Sequence, residues 1–391
     1  MTGGCPPLAG VKGWFKIPLN LPLQKGDLLA LIVGSERTDI FIRKPMNRKA
    51  IALLSGGLDS TLAVRLMIDQ GIDITAIHFT SVFCNCTPQK AGCTLQAGKV
   101  AGEFNVPIRV IHKGMDYIKM VEHPPHGYGS NMNPCIDCRI YMLRKTKELL
   151  PQIGASFIIT GEVLGQRPMS QHRNTLRLIE RESGLEGIIL RPLSARHFDP
   201  TLAEQEGIVD RQRLLAISGR SRKAQIDLAK QFGIGDYPCP AGGCLLTDKG
   251  IAARLRDLFA HVPDYDMTDL NLLKVGRHLR LTPVLKVIVG RKREDNERIR
   301  ALAKPGSVLF MPSGFRGPTA IVRGTLDGDS EIIIGRIIAR YSQDMLPRYA
   351  IQRQIIKGDS TIFFVEERFA VDQLENFLIG SEKKISGESG V

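Results

Sequence analysis

The run Ala50-Ile51-Ala52-Leu53-Leu54 followed by Ser55-Gly56-Gly57-Leu58-Asp59-Ser60 constrains the fold more than any other stretch of this chain. Five consecutive apolar residues read as a strand buried on both faces, which is the habit of parallel sheets. Two glycines end it, and residues 61–70, with Leu62, Val64, Leu66 and Met67 apolar, read as a helix. The pattern repeats: strands are predicted over 74–79, 108–111 and 157–160, and helices over 95–104 and 140–150. Strands alternating with helices predict an α/β fold with a doubly wound parallel sheet. Ligands bind such sheets at the carboxyl ends of the strands, so the loops after Leu54, Phe79 and Thr160 are expected to share one crevice.

The hexapeptide itself suits phosphate. Gly56 and Gly57 let the backbone approach closely, and the helix start offers unpaired N–H groups. Ser55 and Ser60 can donate to phosphate oxygens, and Asp59 can hold Mg²⁺ against a leaving pyrophosphate. The loop lacks both the Gly-Lys-Ser/Thr ending of a Walker A motif and the GxGxxG dinucleotide pattern. A plain strand–helix turn with Asp59 or Ser60 as the N-cap is the competing reading.

SGGLDS resembles the signature of the PP-loop ATP pyrophosphatase superfamily, whose HUP-like domains cleave ATP between the α and β phosphates and transfer AMP to an oxygen. A second motif is similar to the TGE-x-LGQ segment of 4-thiouridine synthetases: Thr160-Gly161-Glu162-Val163-Leu164-Gly165-Gln166, then Ser170-Gln171 and Leu190-Arg191-Pro192-Leu193. The resemblance spans residues 49–248 and implies ATP and Mg²⁺ as cofactors. It places Ser55, Gly56, Gly57, Asp59, Ser60, His78, Phe79, Gly161 and Gln166 around ATP, with Asp59 also catalytic.

Seven of the eight cysteines fall in three close groups. Such grouping suggests metal or thiol chemistry more than a disulfide framework. Cys135 and Cys138 form a CxxC at a predicted helix start, where thiolate is favoured. Cys244 follows on a Gly-rich turn. This set resembles the cluster-containing thiouridine synthetases, which implies a [4Fe–4S] cluster on Cys135, Cys138 and Cys244 with one iron open. Two other readings stay open. One is a zinc site built from Cys135, Cys138, Cys239 and Cys244, or drawing on Cys84, Cys86 and Cys93. The other is a catalytic pair passing a persulfide.

Lys and Arg total 53 against 40 for Asp and Glu, a net charge of +13 that favours polyanionic partners. Residues 271–350 hold fifteen of those cations against seven carboxylates. Strands are predicted there over 284–289 and 331–334, and a helix over 294–303, after a connection at 257–268. A basic α+β domain over 270–375 is the expectation. Leu273-Lys274-Val275-Gly276-Arg277-His278-Leu279-Arg280, Val289-Gly290-Arg291 and Gly317-Pro318 resemble the NFACT-type RNA-binding domain. Lys274, Arg277, Arg280 and Arg291 are its expected RNA contacts.

The organisation expected is an N-terminal extension over 1–48 with a strand or two, a PP-loop domain over 49–255, and the basic domain. The function implied is ATP-dependent tRNA uridine thiolation, with tRNA and a sulfur donor such as a cysteine desulfurase or sulfide as partners. A homodimer is compatible with the sequence. Two rivals are a PP-loop enzyme using ammonia or an amine, and an RNA-binding module with an inactive ATP site. No apolar run approaches the ~20 residues that span a bilayer, and no signal peptide is legible, so the expected location is cytoplasmic.

Overall fold

The computed structural model describes the backbone of residues 14–16 and 41–43, and residues 45–84, 93–235 and 244–380. Cys5, Cys86, Cys239 and most of the 1–48 extension lie outside them; Cys93 is described by its backbone alone. In the extension, β1 (Trp14–Lys16) and β2 (Phe41–Arg43) pair antiparallel. No helix among the described residues is long and apolar enough to cross a membrane.

The chain divides into two units. The first opens with β3 (Lys49–Leu53), α1 (Leu58–Ile68), β4 (Asp73–Thr80), α2 (Cys93–Glu103) and β5 (Ile108–His112). The next helix, α3 (Met115–Glu122), belongs to the second unit. The first unit resumes with α4 (Cys135–Ile153), β6 (Phe157–Thr160), α5 (Arg173–Ser183), β7 (Ile189–Leu190), α6 (Leu202–Gln205) and α7 (Lys223–Gln231). Its five-stranded sheet is all parallel, in the order β5-β4-β3-β6-β7. The order reverses between β3 and β6, and a doubly wound sheet opens its ligand crevice at that switch point. Ala50, Ile51 and Ala52 are fully buried, as a strand covered on both faces requires.

The second unit adds residues 81–85 and 113–134 to everything from Gly242 onward. It contains α8 (Lys249–His261), α9 (Met267–Leu272), β8 (Arg277–Thr282), β9 (Leu285–Val289), α10 (Arg293–Leu302), β10 (Val308–Ser313) and β11 (Ala320–Gly324). It ends with α11 (Gly328–Arg340), β12 (Tyr349–Ile355), β13 (Ser360–Val365) and α12 (Val371–Phe377). Six antiparallel strands run β13-β12-β10-β11-β9-β8. Ile334, Ile337 and Ile338 of α11 pack on one face, and Ile299 of α10 with Leu272 of α9 on the other.

Two expectations are corrected. Residues 331–334 are helical, not a strand. Asp327 caps the helix through Ser330 N, and isoleucines at 334, 337 and 338 recur at helical spacing, which overrides their β-branched preference. Residues 257–261 belong to α8, not to a connection, because Asp248 caps that helix at Ile251 N and Ile251, Leu255 and Leu258 form its buried stripe. The second compact unit takes in α8, whose Asp257 is bonded to Arg280 and Lys286 of the second sheet.

Candidate functional site

The phosphate-type loop leaves β3 at the switch point. Gly56 turns with φ of 77°, and Gly57 is the N-cap of α1 without a side chain to cap it. The first-turn amides of α1 therefore have no side-chain acceptor at the cap. Ser55 and Ser60 are bonded Oγ to Oγ at 3.0 Å, and Ser60 Oγ donates to Gly57 O at 2.9 Å, which fixes the loop. The loop after β6 lies directly against it. A Cβ on Gly161 would sit 2.5 Å from Ser60 N, so only glycine fits there.

Gln166 Nε2 donates to Asp59 Oδ2 at 3.1 Å, while Asp59 Oδ1 is buried with no protein partner. His78, buried at the end of β4, donates Nδ1–H to Leu54 O at 2.8 Å. That bond leaves Nε2 as an acceptor, and it too is buried without a partner. Phe79, half-buried, points to the opposite face by strand alternation. The structure thus brings Ser55, Gly57, Asp59, Ser60, Gly161 and Gln166 together, with His78 tied to the end of the same strand.

Behind this loop lies a buried ionic network that sequence reasoning did not assign. Glu162 Oε2 accepts from Arg191 Nε at 3.0 Å and Thr160 Oγ1 at 3.2 Å, and Arg139 lies 3.4 Å from Oε1. Arg191 also pairs with Glu180, and its guanidinium lies over Phe198. Burial alone would raise the Glu162 pKa, but the Arg139 and Arg191 charges and the bonds from Arg191 and Thr160 hold it below the usual carboxylate range. The available signal was an acid two residues past a buried strand and an arginine inside an apolar run, both of which need buried partners.

Arg139 follows the CxxC directly, so this network anchors the start of α4, where half-buried Cys135 and Cys138 open the helix. Cys244 and Cys84, also half-buried, lie in the second unit. Two thiols one helical turn apart suit half of a thiolate donor set. Among the described residues, no group of three or more His, Cys, Asp or Glu side chains is placed to hold a metal ion.

The expected RNA contacts divide. Arg280 grips Asp257 through Nε and Nη2 at 2.9 and 2.8 Å, and Lys274 Nζ donates to Val82 O. Arg277 instead lies 4.2 Å over the Tyr341 ring. Burial raises the Tyr341 pKa, while the positive charges of Arg277, Arg291 and Arg340 oppose the rise. The Gly290–Arg291 turn is set by Asn296, whose Oδ1 accepts from Thr319 N and would meet a Cβ on Gly290 at 2.0 Å.

Residues 46–199 match the family described as thiamine biosynthesis protein (ThiI), and residues 276–377 match the NFACT protein RNA binding domain. The chain carries a ThiI-type segment on its parallel sheet and an NFACT-type domain on its antiparallel one. A probable tRNA sulfurtransferase of Methanosarcina acetivorans is 32% identical over 122 residues, covering 30% of this chain and 28% of the relative. A tRNA-specific 2-thiouridylase MnmA of Clostridium acetobutylicum is 30% identical over 131 residues, covering 30% and 36%. The chain spans about a third of the length of these curated relatives. A solved 4-thiouridine synthetase–RNA complex with bound ATP aligns over 48% of this chain and 51% of its own, at 21% identity and a TM-score of 0.29.

Proposed function

We propose that the chain is an ATP-dependent tRNA uridine thiolase. The observation that carries this reading is the Asp59 carboxylate, held by Gln166 on the switch-point loop with its second oxygen buried and unpartnered. A buried carboxylate oxygen is costly unless a cation or donor meets it, and Mg²⁺ on a nucleotide phosphate does so.

In this reading Ser55, the Gly56–Gly57 backbone and the first amides of α1 cradle the phosphates, and Gly161 and Gln166 close the loop over them. Bound Mg²⁺ neutralises the leaving pyrophosphate. The uridine carbonyl oxygen attacks the α-phosphorus, forming an O–P bond as the bond to the β-phosphate bridge breaks. A uracil oxygen is a very poor leaving group, and adenylation converts it into AMP. A sulfur nucleophile then attacks the same carbon, the C–O bond breaks, and AMP departs.

Cys135 and Cys138 supply the sulfur chemistry. They open α4, and Arg139–Glu162 fixes that start. They suit a persulfide pair, and their chemistry equally suits two ligands of an iron–sulfur or zinc centre. Arg277, Arg291 and Arg340 are the cations proposed to hold tRNA phosphates. Arg280 and Lys274 serve the fold, given their bonds within the second unit.

The test is AMP and pyrophosphate formation with and without tRNA, in wild type and Asp59→Asn. tRNA-dependent AMP release abolished by the substitution supports the reading. AMP release indifferent to tRNA contradicts it.

A further inference from the structure

Strands β12 and β13 form the open edge of the antiparallel sheet, with Tyr349 opposite Val365 and Gln352 opposite Ile362. Tyr349, Ile351 and Val365 share the face packed against α11 and are buried. Strand alternation turns Ala350, Gln352, Gln354, Ile362 and Phe364 to the opposite face. There Ile362 is 56% exposed and Phe364 47% exposed. The Arg348 guanidinium lies 3.8 Å from the Phe364 ring centroid.

The chemistry of this face is specific. It offers an exposed phenyl ring with a guanidinium already stacked on it, an exposed aliphatic neighbour and two side-chain amides. None of its positions within β12 and β13 is acidic, and Glu366, just past β13, shares the hollow of Phe364 with the cations Arg348 and Arg336. Beyond the end of β13, Glu367 is paired with Arg336 at 3.1 Å. A protein partner would call for a broad apolar core, which Ile362, Phe364 and the neighbouring Ile332 are too few to supply. Unpaired nucleobases instead stack on aromatic rings and on guanidinium planes, and amides read their edges.

We propose that the open face of β12–β13 is a stacking platform for unpaired bases of single-stranded RNA, with Phe364 and Arg348 as its centre. The inference rests on the RNA-binding reading of this domain and extends it from phosphate contacts to base contacts.

The test uses the full chain and a short single-stranded oligouridylate carrying one 2-aminopurine, whose fluorescence is quenched on stacking. Wild type should bind and quench. Phe364→Leu should keep the melting temperature, weaken binding by roughly 5- to 100-fold and abolish the quench. Arg348→Gln should weaken binding in the same direction. Arg291→Ala, removing a phosphate contact, should weaken binding yet keep the quench at saturation. Binding and quenching unchanged in both Phe364→Leu and Arg348→Gln would overturn the platform and leave the RNA reading standing. No RNA binding by wild type would overturn both. A shift in oligomeric state in Phe364→Leu with RNA binding intact would assign the face to a second copy of the chain and overturn the platform.

Discussion

Asp59 and Gln166, 107 residues apart, meet through one hydrogen bond of 3.1 Å that turns the carboxylate so that Oδ1 alone is left unpartnered. The bond joins the first turn of α1, which follows β3, to the loop after β6, the two strands that flank the switch point. Asp59→Asn should lower ATP-dependent AMP formation by about two orders of magnitude or more, because the oxygen facing the cation loses its charge. Gln166→Glu should also be impaired, since two carboxylates would then repel across the same gap. Steady-state AMP release, alongside a circular-dichroism melt to confirm folding, checks both.

Glu162 is the buried hub beneath this loop. Replacing it with glutamine leaves Arg191 and Arg139 short of their counter-charge, and breaking a buried pair in this way costs about 3–5 kcal/mol. Urea denaturation of Glu162→Gln should show a loss of that order. A loss below about 1 kcal/mol would mean the network is solvated.

The two half-reactions separate genetically. Cys135→Ser and Cys138→Ser should retain tRNA-dependent AMP formation and lose sulfur incorporation, since the adenylation groups and the thiols lie on different elements of the first unit. Metal analysis after anaerobic purification then distinguishes the chemistries. Iron with matching sulfide lost in Cys135→Ser indicates a cluster, zinc without sulfide a structural ion, and neither metal a persulfide pair.

His278 offers a pH test of the second unit. It is buried, and its Nε2–H is shared between Leu272 O and Val275 O, which fixes the neutral tautomer. Burial, with Lys286 and Arg254 nearby, holds its pKa well below 6.5. A histidine whose pKa is lowered on folding takes up protons in the unfolded chain first. Its contribution is therefore full above the unfolded pKa and is lost as pH falls below about 6.5. The melting temperature should drop by several degrees between roughly pH 7 and pH 5, and His278→Asn should flatten that dependence.

The local parts of this molecule were legible in the sequence. Apolar runs broken by Gly56–Gly57 and Gly161 mark the strand ends at the switch point, because a buried parallel strand needs an unbroken run and a close-packed loop needs glycine. The isoleucines at 332–334 misled, since β preference and helix periodicity conflict over so short a run and Asp327 decides the matter from outside it. The Arg139–Glu162–Arg191 network and the Arg280–Asp257 pair join residues 23 or more positions apart, and no local pattern announces such partners.

The most direct measurement is nucleoside mass spectrometry of tRNA incubated anaerobically with wild type, ATP–Mg²⁺ and, in parallel arms, sulfide or a cysteine desulfurase with cysteine and a thiol reductant, with AMP counted in each. Thiouridine formed in step with AMP, and lost with both in Asp59→Asn, is the result this account requires. AMP formed with an amine incorporated, or tRNA bound and left unmodified by wild type, would contradict it.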